Sequence, residues 1–185
     1  MTEKQAIYYE LLVLRCRRGQ ADAFCELIRA WEKRLFYYIR RLIDDEQDAW
    51  QVLQDTWVKV LSGIKKLREP KKLPSWLYKI ARNTALGHLR KKYKRRALFE
   101  PDVNVQNIKD TGNNITFDDA QQVHFGLGKI SLAHREALTL FFLQDLAVEE
   151  IAEVLQIPPG TVKSRLYHAK KALRAVLEKE AENYE

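Results

Sequence analysis

Apolar residues recur every three or four positions along most of this chain, which is the spacing of one buried face on an α-helix. The clearest stripe runs from about Asp22 to Ile43 and comprises Phe24, Leu27, Ile28, Trp31, Leu35, Ile39 and Leu42. A shorter amphipathic helix is predicted before it, from about Lys4 to Arg18, ending at Gly19. Apolar and polar residues do not alternate as they do in strands. The pattern therefore predicts an all-α protein.

A third helix is predicted over residues 46–61, directly after an acidic cluster at residues 44–48. Acidic side chains at this position stabilise the positive end of a helix. The helical phase turns one set of residues inward: Ala49, Val52, Leu53, Thr56, Trp57 and Val60. It turns another set outward: Trp50, Gln51, Gln54, Asp55 and Lys59. Because an outward tryptophan is unusual, we expect a partner to bury Trp50.

Gly63 and the segment 67–74, which contains two prolines, are expected to interrupt the helical pattern. Ser75 is expected to cap a fourth helix from Trp76 to about Arg96, with its buried stripe at Leu77, Ala81, Ala85 and Leu89. A densely apolar run, Ser131 to Gln144, is predicted as a further helix. The acidic tail from Glu178 to Glu185 is expected to fray.

The stretch from Ala147 to Arg174 has the layout of a helix-turn-helix. A short helix with Ile151, Ala152 and Leu155 inward ends at Pro158-Pro159-Gly160, because proline lacks the N–H donor that a continuing helix needs. A second helix, opened or capped by Thr161, buries Val162, Leu166, Ala169 and Leu173. Between Gly160 and Arg174 there are five basic residues and no acidic one. This charge favours a helix that enters the DNA major groove, and a helical hairpin with a solvated basic face is the alternative.

Charge divides the chain into two basic parts and an acidic connection. Lysine and arginine exceed the acidic residues by 32 to 25, which favours an anionic partner such as nucleic acid or a membrane surface. Residues 62–96 contain thirteen basic residues and one acid, Glu69, whereas residues 97–119 contain five acidic residues and one basic residue, Lys109. We therefore predict two helical domains, residues 1–96 and 128–185, joined by an irregular linker over residues 97–127.

Trp76, Tyr78 and Tyr93 lie among the basic residues of the 65–96 region. Lysine and arginine contact phosphates, and aromatic rings can stack on bases that have left the duplex. This combination favours a protein that captures a separated DNA strand, and the alternative is that Trp76 and Tyr93 are core residues.

Other classes of protein find little support in the sequence. The four histidines are scattered, and neither an HExxH motif nor a phosphate-binding glycine loop is present, so no catalytic residue, metal site or cofactor is expected. Cys16 and Cys25 are expected to be reduced, partly buried thiols. No run of about 18 apolar residues occurs and the N-terminus lacks a signal-peptide core, so we expect a cytoplasmic protein without membrane insertion.

Three motifs in order give the chain a family resemblance: Gln54-Asp-Thr-Trp57, Trp76-Leu-Tyr-Lys-Ile-Ala-Arg-Asn83, and Gly160-Thr-Val-Lys-Ser-Arg-Leu166 followed by Ala169-Lys-Lys-Ala-Leu-Arg174. From about Ala21 onward the chain resembles a group-four, extracytoplasmic-function (ECF) sigma factor of bacterial RNA polymerase. The resemblance implies a subunit that carries core RNA polymerase to particular promoters. It also implies an anti-sigma factor as a partner.

The resemblance assigns roles to residues of this sequence. Contacts with core polymerase would come from Trp50, Gln51, Gln54 and Asp55. Contacts with the −10 element would come from Trp76, Lys79, Arg82, Asn83 and Arg90, with Asn83 and the 66–75 loop holding a flipped-out base. Contacts with the −35 element would come from Pro158, Gly160, Thr161, Lys163, Ser164, Arg165, Tyr167, His168 and Lys171.

The sequence also departs from the family pattern, since relatives usually carry an acidic pair where this chain has Trp50-Gln51. A stand-alone helix-turn-helix regulator that binds DNA without polymerase is the alternative function. Such a regulator needs neither a polymerase-binding surface nor a strand-capture pocket in residues 46–83. A nucleic-acid-processing enzyme is a third possibility, for which no carboxylate stands out.

Overall fold

A computed structural model describes residues 3–99 and 119–182 of the chain. This part contains eight α-helices and no strand: α1 Glu3–Arg17, α2 Ala21–Arg40, α3 Glu46–Gly63, α4 Leu73–Phe99, α5 Asp119–Lys129, α6 Leu132–Leu138, α7 Val148–Leu155 and α8 Pro159–Glu182. Short 3₁₀ turns lie at Ile64–Lys66 and Pro70–Lys72, and a π-helical turn lies at Thr139–Leu143. The prediction of an all-α fold is confirmed.

The first four helices form an N-terminal unit (residues 3–99) around the stripe of α2. Four side chains of the stripe, Leu27, Trp31, Leu35 and Ile39, are almost fully buried, and so is the neighbouring Tyr38. The inward set predicted for α3 is buried in full, and the Trp57 ring meets the Phe24 ring edge to face. Helical periodicity therefore identified the core of this unit correctly, because burial follows the 3.6-residue repeat.

The acidic cluster before α3 caps that helix as its position indicates. Asp45 is the N-cap residue, and its carboxylate accepts a hydrogen bond of 2.8 Å from the backbone N–H of Asp48. Glu46 and Asp48 lie in the first turn, where their charge favours the positive end of the helix.

Helix α4 begins earlier than predicted, at Leu73 instead of Trp76. Pro74 is tolerated in the first turn because the N–H that proline lacks has no partner there in any case. Ser75 is consequently inside the helix and does not cap it. Its hydroxyl donates to the carbonyl oxygen of Lys72 at 3.2 Å.

The C-terminal unit (residues 119–182) contains α5 to α8. The single helix expected over residues 131–144 is divided: Ser131 caps α6 and accepts from the N–H of His134, and the π-helical turn follows α6. Helices α7 and α8 form the predicted helix-turn-helix. Gln156 ends α7 in the left-handed conformation, with φ of 58°, and α8 begins at Pro159, two residues before Thr161.

Three expectations about connecting and terminal segments need correction. Helix α5 occupies residues 119–129, so this part of the predicted linker is helical, while residues 100–118 lie outside the described residues. Helix α8 continues to Glu182, so the tail is ordered further than expected. Cys16 is buried, but Cys25 is exposed instead of partly buried.

The two units pack against each other, and their buried residues join into one apolar cluster. Helix α4 is central to this packing, since it contacts α2 and α3 on one side and α7 on another. Among the described helices, none is sufficiently long and apolar to cross a lipid bilayer.

Candidate nucleic-acid and partner interfaces

Helix α8 presents one buried face and one polar face. Val162, Leu166 and Ala169 are buried against the rest of the unit, which fixes the helix by its apolar side. Eight of the nine residues predicted to touch DNA near this helix are exposed: Pro158, Gly160, Thr161, Lys163, Ser164, Tyr167, His168 and Lys171. Arg165 is half-buried. The structure therefore places these side chains on one accessible surface with the width of a single helix, as major-groove binding requires.

Tyr167 and His168 form an aromatic pair on this surface. Their rings meet edge to face with centroids 5.3 Å apart, and 64% of Tyr167 is exposed. Lys163, Ser164 and Lys171 supply hydrogen-bond donors along the same helix. The surface thus offers both apolar contact and donors to base edges.

On α4, the residues predicted to contact separated strand differ in accessibility. Asn83 and Arg90 are exposed, and the Arg90 Nε atom donates to the carbonyl oxygen of Leu86 at 3.2 Å. Lys79 and Trp76 are half-buried, and a Cβ atom placed on Gly63 would lie 3.1 Å from the Trp76 ring. Arg82 is only 18% exposed, because its Nε atom donates to the buried carboxylate of Glu136 at 2.7 Å.

Tyr78 is a core residue, contrary to the expectation that it stacks on bases. It is fully buried, and its ring meets the rings of Trp31 and Tyr38 edge to face. Its hydroxyl donates to the side-chain carbonyl of Gln144, and burial raises the pKa of the phenol well above its usual value. The sequence could not distinguish this role from base stacking, because Tyr78 follows Leu77 and is not itself a member of the apolar stripe of α4. Tyr93 is half-buried.

The outward face of α3 carries all four residues predicted to bind a protein partner. Gln51 donates to Asp55 at 3.0 Å, and Gln54 is exposed beside them. Trp50 stacks on Phe36 with ring centroids 4.0 Å apart, but 42% of its surface remains exposed. The indole is therefore held in a fixed orientation and still accessible.

Two residues of the same face were missed in the sequence. Val58 and Leu61 are 67% and 57% exposed, and they extend the apolar area along α3 from Trp50. The helical phase already contained this information, because positions 50, 54, 58 and 61 lie on one side of a helix. Exposed apolar area of this kind is typical of a protein-binding surface.

A cluster of charges joins the start of α3 to the middle of α4. The Asp48 carboxylate lies 2.5 Å from Lys92 Nζ and 3.3 Å from His88 Nε2. The hydrogen bond from Lys92, followed by that from His88, lowers the pKa of Asp48. This ion pair orients the basic helix, so Lys92 and His88 support the structure of α4 as well as its charge.

An apolar groove was also not found from the sequence. It lies between α5, the π-helical turn and α8, with a volume of about 520 Å³, and is lined by Val123, Leu127, Leu138, Phe142, Leu143, Leu173 and Leu177. Lys170, Arg174 and Glu178 lie at its edge. The run Phe141-Phe142-Leu143 was the available signal, but periodicity alone could not show that Phe142 and Leu143 stay exposed.

No group of three or more histidine, cysteine, aspartate or glutamate side chains is suitably placed for a metal ion in residues 3–99 and 119–182.

Comparison with known proteins places these surfaces in a family context. Residues 27–95 match Sigma-70 region 2, and residues 123–173 match Sigma-70, region 4. The chain is 31% identical to the RNA polymerase sigma-H factor of Pseudomonas aeruginosa over 178 residues, which covers 90% of this chain and 92% of the relative. It is 33% identical to RNA polymerase sigma factor SigV of Bacillus subtilis over 138 residues, or 75% of this chain and 81% of the relative.

The fold also matches a solved structure. The sigma factor RpoE of Bartonella quintana, crystallised with the anti-sigma factor NepR, superposes with a TM-score of 0.70 at 23% identity. The match covers 84% of this chain and 96% of that protein. The similarity therefore extends over the helices of both units.

Proposed function

This chain belongs to the extracytoplasmic-function group of the sigma-70 family. We propose that its two units bind different parts of the promoter. The protein binds core RNA polymerase and directs promoter-specific initiation of transcription. The N-terminal unit, residues 3–99, binds polymerase and the −10 element, and the C-terminal unit, residues 119–182, binds the −35 element.

The −35 element is recognised by the exposed face of α8. Lys163 and Ser164 contact base edges in the major groove, with Tyr167 and His168 beside them. Lys171 and the helix N-terminus at Gly160 and Thr161 contact phosphates, which interact favourably with the positive end of the helix dipole. Each specific base contact contributes about 1–3 kcal/mol of discrimination between sequences.

The −10 element is recognised after it separates. Asn83, exposed on α4, holds a base that has left the stack, and residues 66–75, which include the turn before α4 and its first three residues, form the wall of its pocket. Flipping a base costs a few kcal/mol, so a prepared pocket favours the promoters whose sequence fits it. Lys79, Arg82 and Arg90 contact the phosphates of the same strand, and Trp76 supports the loop.

Core polymerase binds the outward face of α3. Trp50 is the central residue of this surface, because a partly exposed aromatic ring in a fixed orientation loses little conformational freedom on binding. Gln51, Gln54 and Asp55 supply hydrogen bonds around it, and Val58 and Leu61 extend the apolar contact.

The protein acts as a non-catalytic subunit and requires no cofactor of its own. Because it acts on bacterial RNA polymerase, its place of action is the cytoplasm. An anti-sigma factor binds it and holds it inactive; RpoE, a protein of the same fold, forms a complex with the anti-sigma factor NepR.

The observation that supports this proposal is the combination, in one chain, of a helix-turn-helix with an exposed polar face and a basic helix preceded by a helix whose outward face exposes apolar side chains. Run-off transcription with purified core polymerase on a library of genomic promoter fragments tests it. We expect transcripts from a small subset of fragments, and none with core polymerase alone.

The same assay separates the alternative function. A stand-alone regulator would bind duplex DNA tightly without polymerase and would yield no transcripts. A sigma factor yields transcripts and binds duplex poorly until core polymerase is present. The family membership and the exposed α3 surface favour the sigma factor.

A further inference from the structure

Gly87 lies in the middle of α4, where packing does not require a glycine. A Cβ atom built on Gly87 would meet no heavy atom of the described residues within 4 Å, apart from its chain neighbours and the adjacent helix backbone. Two other helical glycines have a packing reason. A Cβ atom on Gly63 would lie 3.1 Å from the Trp76 ring, and one on Gly126 would lie 2.7 Å from Leu173 Cδ1. A side chain would therefore fit at Gly87, although the sequence has none there.

This glycine lowers the stability of the helix that contains it. Within a helix, glycine is less favourable than alanine, because its backbone loses more conformational freedom on folding. Helix α4 runs from Leu73 to Phe99, so Gly87 is also far from the helix ends, where glycine can act as a cap. Local stability favours a side chain at this position, and another reason is needed for its absence.

A second unfavourable feature lies on the same face of α4. Residues three, four and seven positions apart share a helix face, which places Gly87 beside Asn83, Arg90, Lys91 and Lys94. All four of these side chains are exposed, and three of them are cations. Arg90 and Lys94 are four residues apart, so their like charges repel each other.

The cations on the side of α4 that faces α3 are arranged differently. Lys92 Nζ and His88 Nε2 lie 2.5 Å and 3.3 Å from the Asp48 carboxylate. Among the ion pairs of residues 3–99 and 119–182, none includes Arg90 or Lys94. An anionic ligand would therefore compensate a charge on the Gly87 face that the described carboxylates leave in place.

Two departures from local preference at one place are typical of a functional surface. Glycine serves where a ligand must approach the backbone closely. Cations along the same face attract the phosphates of a nucleic acid. Together, the two features favour a phosphate-bearing strand that lies directly against this face of α4.

The length of this face also suits a strand of nucleic acid. At 1.5 Å per residue, Asn83 and Lys94 are separated by about 16 Å along the helix axis. Neighbouring nucleotides of one strand are about 3.4 Å apart along the axis of duplex DNA. The face from Asn83 to Lys94 can thus meet several successive nucleotides, and Gly87 lies one helical turn after Asn83.

We propose that Gly87 is a contact residue for the separated −10 strand. Because it has no side chain, the sugar–phosphate backbone next to the flipped base lies directly against α4, between Asn83 and Arg90. Arg90, Lys91 and Lys94 hold the phosphates on either side of this contact. This inference rests on the proposed function. It adds that the backbone of α4 is part of the binding surface.

Gly87→Ala tests the proposal, because it should change stability and binding in opposite directions. Alanine is the better helix former, and its methyl group fits the described structure. We therefore expect the equilibrium constant for unfolding to fall about two- to fivefold. Urea denaturation of the full chain measures this change. A less stable variant would show that folding requires the glycine, and would overturn the proposal.

Strand binding is measured with a fluorescent single strand of DNA of mixed sequence. The anisotropy of this strand is recorded with the complex of the full chain and core polymerase, and core polymerase alone gives the baseline. We expect Gly87→Ala to weaken binding on the order of tenfold, since an added methyl group disrupts a closely packed contact. Gly87→Leu, which is also compatible with a helix, should weaken binding further. Wild-type affinity in both variants would overturn the proposal.

A glycine in the other unit supplies the matched control. Gly126→Ala adds the same methyl group, but it does so 2.7 Å from Leu173 Cδ1. This variant should be less stable than wild type and should bind the single strand with unchanged affinity. An equal loss of strand affinity in Gly126→Ala and Gly87→Ala would show that the loss is not specific to the Gly87 face, and would contradict the proposal.

Salt dependence distinguishes close contact from charge. Arg90→Ala removes a phosphate contact, so the slope of log affinity against log salt concentration should fall by about one. Gly87→Ala removes no charge and should keep the wild-type slope while its affinity falls. A reduced slope for Gly87→Ala would mean that the substitution acts through the phosphate contacts, and would contradict the close approach at Gly87.

The outcomes separate this inference from the proposed function. If the wild-type chain directs no transcription but Gly87→Ala still weakens strand binding, the proposed function fails and the contact at Gly87 stands. If the chain directs transcription and both Gly87 variants bind the strand as wild type does, the function stands and the contact at Gly87 is wrong.

Discussion

Trp50 packs against its own unit and is also accessible to a partner. One ring face stacks on Phe36 and the rest of the indole remains accessible, so the residue is oriented by its own unit and available to a partner. Asn83 is the corresponding case on α4, where its amide is exposed on a basic helix. For both residues, substitution should affect binding much more than folding.

Trp50→Ala should weaken binding to core polymerase by about 2 kcal/mol or more, roughly thirtyfold in the dissociation constant, because central aromatic residues dominate protein interfaces. Leu14→Ala removes an equally exposed apolar side chain from α1 and serves as the control. Affinity is measured by anisotropy of the labelled chain titrated with core polymerase. Equal losses for both variants would mean that the α3 face is not the polymerase-binding surface.

Asn83→Ala should leave the free energy of unfolding within about 0.5 kcal/mol of wild type, as is usual for exposed residues. Binding of the holoenzyme to duplex promoter DNA should also be retained. Strand opening should be slower, because the flipped base loses its hydrogen-bonding partner. Permanganate footprinting measures the opening, and a bubble that forms at the normal rate would remove the base-pocket role from Asn83.

At the level of secondary structure, the turn between α7 and α8 depends on an unusual backbone conformation. Gln156 has φ of 58° and ψ of 45°, which places a residue with a side chain in the left-handed region that glycine usually occupies at the end of a helix. This turn determines how α8 is presented, and Pro159 then starts α8 with its φ already suited to a helix.

Gln156→Gly should raise the free energy of unfolding by about 1 kcal/mol, because the left-handed conformation carries no Cβ penalty in glycine. Gln156→Ala, which keeps the penalty, should not stabilise the chain. Urea denaturation of the full chain measures both. If glycine and alanine give the same midpoint, the backbone of this turn is not strained.

For the whole molecule, the central property is that two units, for which we propose different DNA targets, share one interface. Charged and polar pairs cross that interface, and one of these pairs contains a histidine. His124 of α5 contacts Tyr37 of α2, and burial, followed by the nearby charge of Arg41, lowers the pKa of His124 below its usual value.

A lowered histidine pKa makes the stability of the chain depend on pH in a definite direction. The contribution of neutral His124 is fully present above pH 6.5 and is lost as the pH falls through the folded-state pKa, since the unfolded chain binds the proton more readily. The free energy of unfolding should therefore fall between pH 7.5 and 5.5, and His124→Gln should reduce that fall. A slope that is unchanged in the His124→Gln chain would contradict the prediction.

Much of this protein could be predicted from its sequence because the relevant forces act over a few residues. The 3.6-residue repeat identified the buried faces of α2, α3 and α8, and the two prolines located the turn of the helix-turn-helix. Local excess of one charge identified the basic helix and separated it from the acidic segment that follows. The exposed candidates Trp50 and Lys163 followed from the same periodicity, whereas Asn83 followed from the resemblance to the sigma-factor family.

The tertiary structure alone decided which of the remaining polar residues are functional surface and which are core. Tyr78 pairs with Gln144 and Arg82 with Glu136, partners 66 and 54 positions away in the chain. Periodicity carries no information about such distant pairs. A glutamate or a tyrosine occupies the same position in the helical repeat whether its side chain faces water or another helix. Whether the two units associate is a balance of desolvation and pairing between surfaces that meet only after each unit has folded.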